Sequence, residues 1–106
     1  VRGLRILLAE DNVVNQKVAC ALLMRDGHVV DVVENDQLAI AAVQRTAYDV
    51  VLMDIQMPGM DGIAATKAIR RLGGDAAKVP IIALTANAMV GDREKYLSIG
   101  ADGYIS

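Results

Sequence analysis

A single carboxylate, Asp54, closes the apolar run in YDVVLMDIQMPGMDG and stands directly before a Pro-Gly loop. A carboxylate at the end of a buried segment loses hydration, so a chain that needed only a strand end would place Gly, Asn or Ser there. Glu10 and Asp11 follow an earlier apolar run, LRILLA, and Thr85 follows a later one, VPIIAL. These four polar residues are the chain's candidates for chemistry.

Three carboxylates brought into one small space repel one another, and some take up protons unless a cation offsets their charge. Mg²⁺ suits such a group, because it prefers oxygen ligands and accepts one or two carboxylates while keeping several waters. The predicted metal ligands are Glu10, Asp11 and Asp54, together with the backbone carbonyl of Gln56. Beside such a metal, Asp54 is suited to attack phosphorus, and Thr85 offers a hydroxyl to a phosphoryl oxygen.

Strands and helices alternate along the chain, and this alternation must bring the polar residues together. Short apolar runs predict strands, whereas apolar residues spaced three and four apart predict helices. Because the strands are continuous apolar runs, the pattern favours a parallel sheet that is covered on both faces. The predicted strands are residues 4–9, 28–33, 49–53, 79–84 and 102–105, and the predicted helices are residues 13–25, 37–45, 62–72 and 86–99.

The fold class that follows is α/β, with a doubly wound five-stranded parallel sheet of flavodoxin-like type. Right-handed crossovers wind such a sheet in both directions, and ligands bind beyond the carboxyl ends of the strands where the winding reverses. In the strand order 2-1-3-4-5, strands one and three are neighbours. That order places Glu10, Asp11 and Asp54 at one edge of the sheet.

Helix one begins directly beside the acidic pair. The stripe that we expect to face the sheet comprises Val18, Ala19, Leu22 and Leu23. That orientation leaves Val13 and Val14 near the exposed start of the helix, and Met57 and Pro58 lie at the same end of the sheet. Apolar residues around a charged pocket are typical of a docking surface for a transient partner. The alternative is that one of the two valines packs on the neighbouring loop.

Composition bounds the class of protein. With 106 residues and 54% hydrophobic content, one domain with a single core is expected, and that core is aliphatic because Phe and Trp are absent. A net charge of -2 without a basic cluster argues against nucleic-acid or anionic-membrane binding. The single cysteine, Cys20, excludes an internal disulfide and fits a reduced, cytoplasmic setting. No signal peptide or membrane-spanning run is evident.

Four motifs carry a family resemblance: ILLAEDNVVNQ, VVLMDIQMPGMDG, PIIALTANA and GADGYIS. In this order they resemble the receiver domain of two-component response regulators, and the first is similar to receivers attached to hybrid sensor histidine kinases. The resemblance runs from residue 4 to residue 106. It implies a phosphoacceptor signalling domain of a phosphorelay, rather than a free-standing enzyme, that takes phosphoryl from a histidine kinase or a histidine-containing phosphotransfer domain.

The resemblance also implies a role for each matching position. Asp54 resembles the phosphoacceptor, and Asp11 and Glu10 resemble the acidic pair that positions Mg²⁺. Gln56 corresponds to the residue whose carbonyl reaches the metal. Thr85 resembles the switch hydroxyl. Tyr104 resembles the aromatic residue that changes rotamer together with the switch hydroxyl.

One residue of the family pattern is missing. Receivers carry a Lys in a Lys-Pro pair at the end of strand five, and here the sequence stops at Ser106. The final helix of the family is absent as well. We therefore expect residues 1–106 to be a single receiver domain that is part of a longer protein, with a truncated receiver as the alternative.

Other functions remain open at this point. An aspartyl-phosphate hydrolase of the haloacid dehalogenase type would carry a second acid two positions after the nucleophile, where this chain has Gln56. A dinucleotide binder would need a Gly-rich loop where Glu10 and Asp11 stand. A phosphorylation-independent interaction domain is possible if the Lys is truly absent. Glu10, Asp11 and Thr85 could also serve only as helix N-caps.

Overall fold

The computed structural model describes residues 3–54, 56–57, 60–84 and 100–105. Within these ranges, strands and helices alternate as the sequence predicts. The elements are β1 Arg5–Ala9, α1 Val13–Arg25, β2 Val29–Val33, α2 Asp36–Arg45, β3 Val50–Asp54, β4 Gln56–Met57, β5 Met60–Asp61, α3 Gly62–Arg70, a short 3-10 helix Asp75–Lys78, β6 Ile81–Leu84 and β7 Gly103–Ile105. The helix predicted over residues 86–99 lies outside the described residues.

Five strands form one parallel sheet in the order β2-β1-β3-β6-β7. The two remaining strands, β4 and β5, pair with each other in a separate antiparallel ribbon. The sheet therefore follows the predicted order 2-1-3-4-5, and the doubly wound flavodoxin-like fold is confirmed. Ala9 pairs with Met53, and Asp54 pairs with Leu84. The carboxyl ends of β1, β3 and β6 thus lie level at one edge.

One face of the sheet carries the aliphatic core. Every second residue of β3 and β6 is buried, beginning with Val51 and Ile81, and these residues pack with α2 and α3. Burial of each large aliphatic side chain contributes about 1.5–3 kcal/mol. The core cluster comprises Leu7, Ala9, Ala39, Ala42, Val43, Val51, Met53, Ala65, Ile69, Val79 and Ile81.

Helix α1 differs from the predicted orientation. Val18 and Leu22 are 55% and 50% exposed, and no residue of α1 is buried. The residues of α1 that are less exposed are Gln16, Ala19, Cys20 and Leu23. The prediction was therefore wrong for Val18 and Leu22, because α1 has apolar residues on two sides and the helical period alone does not say which side faces the sheet.

Asparagine residues cap α1 and α2 at their starts. The side chain of Asn35 accepts a hydrogen bond from the backbone N–H of Leu38 at 2.8 Å. This contact identifies Asn35 as the cap of the second helix and satisfies one N–H group that the helix itself cannot pair.

None of the helices in the described ranges has both the length and the apolar character needed to cross a membrane.

Candidate functional site

Glu10 and Asp54 meet at the carboxyl edge of the sheet. Glu10 follows β1, and its backbone N–H donates to the carbonyl of Val33 in β2 at 3.0 Å. Asp54 is the last residue of β3, held between β1 and β6 by the sheet ladders. The two carboxyl groups share a hydrogen bond. Of the three carboxylates predicted at this edge, Glu10, Asp11 and Asp54, the structure shows contact between Glu10 and Asp54.

The environment of Glu10 disfavours its charged form. Glu10 is only 5% exposed, and burial is the main cause that raises the pKa of its carboxyl from 4.5 to about 7. The hydrogen bond to Asp54 and the charge of Asp54 raise it further, whereas the backbone N–H of Asn12 and the side chain of Asn15 oppose the shift. Burial beside Asp54 thus favours the protonated form of the Glu10 carboxyl up to about pH 7.

The loop between β1 and α1 fixes the position of Glu10. Its Oε1 accepts a hydrogen bond from the backbone N–H of Asn12 at 3.0 Å, and its backbone carbonyl accepts one from Nε2 of Gln16 at 2.5 Å. Asn12 also caps α1, because its Oδ1 accepts from the backbone N–H of Asn15 at 3.1 Å. The cap of α1 is therefore Asn12, and neither Glu10 nor Asp11 has that role.

No role was predicted from the sequence for Asn12, Asn15 or Gln16. Asn is among the preferred N-cap residues, so the placement of Asn12 just before the helical pattern was a usable signal. The contact from Gln16 back to Glu10 joins residues six positions apart in the chain and leaves no periodic trace in the sequence. These three polar residues surround the acid that the sequence did identify.

The described residues contain no group of three or more His, Cys, Asp or Glu side chains that could hold a metal ion. The predicted three-carboxylate cluster is thus represented there by the pair Glu10 and Asp54. Asp11, the residue after Glu10, is half-buried and also interacts with another group of the protein. Mg²⁺ sites in proteins often use only one or two carboxylates, with water and substrate oxygens completing the shell.

A two-stranded ribbon follows Asp54 directly. Its first strand begins at Gln56, which pairs with Asp61, and Met57 pairs with Met60. The ribbon therefore returns the chain towards α3 within a few residues of the acid. Pro58, predicted as part of the docking patch, lies outside the described residues.

The two predicted switch residues belong to β6 and β7. Thr85 lies outside the described residues, although it directly follows Leu84, the partner of Asp54 in the sheet. The backbone of Tyr104 lies in β7 and pairs with Ala83. The side chain of Tyr104, on which its switch role depends, is outside the described part of the structure.

The predicted docking residues of α1 are exposed. Val13 and Val14 occupy the first turn of α1, next to the Glu10 loop, and are 59% and 68% exposed. The docking role and its alternative, in which one of them packs on the neighbouring loop, both stay predictions, because residues 55 and 58–59 lie outside the described residues. Val18 and Leu22 continue the exposed apolar surface along the helix.

A cleft lies at the amino end of the sheet, away from Glu10 and Asp54. This cleft, of about 440 Å³, opens between the end of α2 and the 3-10 helix, and none of the predicted site residues lines it. Tyr48, at its wall, donates a hydrogen bond to Oδ2 of Asp31 at 2.7 Å, and burial raises the pKa of its hydroxyl. Because none of the predicted site residues lines this cleft, we do not identify it as the reactive site.

Comparison with known proteins agrees with the geometry. Residues 6–106 match the model of the response regulator receiver domain. The sensor protein GacS of Pseudomonas syringae is 43% identical over 107 residues, which cover 99% of this chain and 12% of GacS. Hybrid signal transduction histidine kinase B of Dictyostelium discoideum is 42% identical over 111 residues, which cover 95% of this chain and 6% of that kinase. The chain therefore spans a small part of these relatives.

Solved structures give the same result. The receiver domain of sensor histidine kinase PA1611 from Pseudomonas aeruginosa, solved with a magnesium ion coordinated in its active-site cleft, is 45% identical with a TM-score of 0.86. The match covers 98% of this chain and 84% of that domain. Full-length ShkA in complex with AMPPNP is 44% identical with a TM-score of 0.83, over 96% of this chain and 20% of ShkA.

Proposed function

Because the chain belongs to the family of response regulator receiver domains, we propose that Asp54 is its phosphoacceptor. The donor is the phosphohistidine of a histidine kinase or of a histidine-containing phosphotransfer domain. A carboxylate oxygen of Asp54 bonds to phosphorus while the phosphorus–nitrogen bond breaks, and the released imidazole nitrogen takes a proton from water. The acyl phosphate then adds charge at the sheet edge, which biases the conformation of the surrounding loops.

The contact between the carboxyl groups of Glu10 and Asp54 is the observation that carries this proposal. The buried Glu10 carboxyl, whose pKa is raised to about 7 beside Asp54, leaves room for a cation to take the place of its proton. Asp54 also stands at the carboxyl edge of a doubly wound sheet, beside the change in winding direction, where such folds bind ligands.

Mg²⁺ fits the donor atoms of this site. Glu10 and Asp54 supply carboxylate oxygens, and Asp11 and the backbone carbonyl of Gln56 complete the set that the sequence predicts. The magnesium ion in the receiver domain of PA1611 supports the same choice of ion. When bound, Mg²⁺ offsets the negative charge of the transferring group.

The chain's own residues orient the acids. The backbone N–H of Asn12 and the side chain of Asn15 hold the Glu10 carboxyl beside Asp54. The ladders to β1 and β6 fix the backbone at Asp54. Because the backbone is fixed there, the carboxylate of Asp54 has a defined direction from which it attacks phosphorus.

The curated relatives are much longer than this chain, which matches only a small part of each. We propose that residues 1–106 form one receiver domain within a longer hybrid histidine kinase, as the short matched portions of GacS and kinase B suggest. A cytoplasmic location agrees with the single cysteine, Cys20, which is free.

Incubation with Mg²⁺ and acetyl phosphate tests the phosphoacceptor. The parent chain is expected to gain the mass of one phosphoryl group, and peptide mapping should locate it on Asp54. Asp54→Ala should abolish the gain, whereas Asp26→Ala, at an exposed turn after α1, should not. Modification that persists in Asp54→Ala would place the acceptor elsewhere. A parent chain that never gains mass would favour a phosphorylation-independent interaction domain.

The start of α1 is the proposed docking surface for the phosphohistidine partner. Val13 and Val14 are exposed next to the loop that holds Glu10, and Val18 extends this apolar surface along the helix. The sequence predicts that Met57 and Pro58, in the loop after Asp54, also belong to this docking surface. A small apolar contact around the acid suits a transient partner, because it excludes water during transfer without burying much area.

Val14→Lys separates docking from chemistry. This substitution should slow phosphotransfer from a phosphohistidine helical bundle about tenfold or more, because a charge replaces an apolar contact at the interface. Modification by acetyl phosphate should stay within about twofold of the parent, since that reaction needs no docking. Met24→Lys, at the far end of α1 and 61% exposed, is the matched control and should change neither rate. Equal loss of both reactions in Val14→Lys would contradict the docking proposal.

A further inference from the structure

The cleft at the amino end of the sheet has the size of a small-molecule site. Its volume of about 440 Å³ lies within the range of about 300–1,000 Å³ that is typical of ligand sites in proteins. Residues 43–48, at the end of α2 and directly after it, form one wall. The 3-10 helix and the two residues that follow it form the other wall.

Both walls are held in place by hydrogen bonds within the protein. Nη1 of Arg70 donates to the backbone carbonyls of Ala77 and Val79 at 2.9 and 2.6 Å, which fixes the 3-10 helix against α3. On the other wall, the hydroxyl of Tyr48 donates to Oδ2 of Asp31 at 2.7 Å. The cleft is therefore formed before any ligand enters, and a preformed site loses little conformational entropy on binding.

The most buried residues of the cleft are apolar. Val43 and Val79, one from each wall, are 5% and 7% exposed and belong to the core cluster. Ala47 and Pro80 add further apolar surface nearer the solvent. An apolar group of a ligand that lies on these residues leaves water, which favours binding.

Two positive charges lie at the cleft, one on each wall. Arg45 is the last residue of α2, and Lys78 is the last residue of the 3-10 helix. Both are exposed, and within the described part of the chain neither forms an ion pair, since the ion pairs found there engage Arg5 and Arg70. A single acid, Asp75, also lines the cleft, so one positive charge is in excess.

We propose that this cleft binds a small amphipathic carboxylate. Its apolar body lies on Val43 and Val79, and its carboxylate pairs with Arg45 and Lys78. A carboxylate matches the planar fork of a guanidinium, and it also pairs with an ammonium group. A neutral ligand would leave both cations without a partner, and a cationic ligand would be repelled by them. The cleft lies away from Asp54, so this inference does not depend on the proposed phosphoacceptor.

Three probes separate the apolar contribution from the charge. The anion 2-naphthoate has an apolar ring and a charge, 2-naphthamide has the ring alone, and acetate has the charge alone. In ¹H–¹⁵N NMR titrations, 2-naphthoate should shift the amide signals of Ala47, Ala76 and Lys78 until they saturate. The other two probes should bind about fivefold or more weakly, because each loses one of the two contributions.

Substitution of the two cations tests their role. Arg45→Gln and Lys78→Gln should each raise the dissociation constant for 2-naphthoate about two- to fivefold, which is the effect of one exposed ion pair. The dissociation constant for 2-naphthamide should stay unchanged in both variants. Arg25→Gln is the matched control, because Arg25 is the exposed last residue of α1 as Arg45 is of α2, and it should change neither constant.

A selective loss of 2-naphthoate affinity in the two cleft variants supports the proposal. The absence of saturable shifts at the cleft would overturn it, and so would shifts confined to the exposed valines of α1. Equal affinity for 2-naphthoate and 2-naphthamide would exclude recognition of the carboxylate. The same weakening in Arg25→Gln would reduce the charge effect to a general attraction by the whole surface and overturn the proposed site. Far-ultraviolet circular dichroism of each variant checks that the fold is retained.

Discussion

Replacing Glu10 by Gln should make the metal-free domain more stable at alkaline pH and leave it unchanged at acid pH. The amide of Gln retains an oxygen that can accept from the backbone N–H of Asn12, as Oε1 of Glu10 does at 3.0 Å. It can also donate to Asp54, as the protonated carboxyl does. Glu10→Gln therefore resembles the protonated state of Glu10 at every pH.

The magnitude follows from the pKa of Glu10. Folding raises it from 4.5 to about 7, so between these values the folded chain binds more protons than the unfolded chain. Stability then falls as the pH rises through this window, and the contribution is fully present only below the lower value. At about 1.4 kcal/mol for each pKa unit, the parent loses at most about 3 kcal/mol by pH 8. Glu10→Gln should show no such loss.

Urea unfolding followed by far-ultraviolet circular dichroism measures the difference, because the chain contains no Trp to report by fluorescence. The free energies of unfolding of parent and variant should coincide near about pH 4 and differ by roughly 1–3 kcal/mol near about pH 8, with a chelator present. Glu34→Gln, at an exposed loop position, is the control and should leave the slope of the parent intact. A difference between parent and Glu10→Gln that is the same at every pH would refute the reasoning.

Mg²⁺ should reverse the sign of this dependence. Bound metal needs Glu10 in its carboxylate form, so the affinity of the parent for Mg²⁺ should rise as the pH increases through about 7. Calorimetric titration in two buffers of different ionisation enthalpy should detect the proton released on binding. A parent whose Mg²⁺ affinity is constant across this range would contradict the role of Glu10 as a metal ligand with a raised pKa.

Two further substitutions test the frame around the site, each measured by urea unfolding. Gly100→Ala should lower the free energy of unfolding by about 2–4 kcal/mol, because it adds a collision with Arg70 to backbone strain. Gly27→Ala, at φ +88° with open space around it, is the control and should lower it by only about 1 kcal/mol through strain. Equal costs in the two variants would mean that the collision with Arg70 is relieved without loss of stability. Asn35→Ala should cost about 1 kcal/mol through the lost cap of α2 and leave phosphorylation unchanged, and a slower reaction would show that α2 influences the site.

The fold and the central acid could be predicted from the sequence because both leave local signals. The central strands β1, β3 and β6 are almost entirely apolar, and the residue that breaks the third apolar run of the sequence is Asp54. Parallel topology with right-handed crossovers then leaves few arrangements, so Glu10 and Asp54 come to one edge with no information on long-range contacts. The burial that raises the pKa of Glu10 was not predictable, because it depends on how the loop after β1 folds back.

Features that depend on long-range contacts or on very short elements escaped prediction. The ribbon formed by residues 56–57 and 60–61 has strands too short to show any period. The side chain of Arg70 forms an ion pair with Asp102, which is 32 residues further along the chain, and neither residue stands out in the sequence. The orientation of α1 failed for another reason, because its two apolar sides made either orientation compatible with the helical period.

The uneven distribution of charge across the sheet explains how the fold tolerates its site. The core cluster is apolar and includes Leu7, Val51 and Ile81, all with no exposed surface, so it stabilises the fold through burial of apolar surface. The carboxyl edge places Glu10 at 5% exposure against a second acid, which costs stability in the metal-free state. A cation that relieved this repulsion would be stabilised by a similar amount, so part of the cost in the metal-free domain would return as binding energy for Mg²⁺. Relief of that repulsion by Glu10→Gln is therefore expected to weaken Mg²⁺ binding as it strengthens the fold.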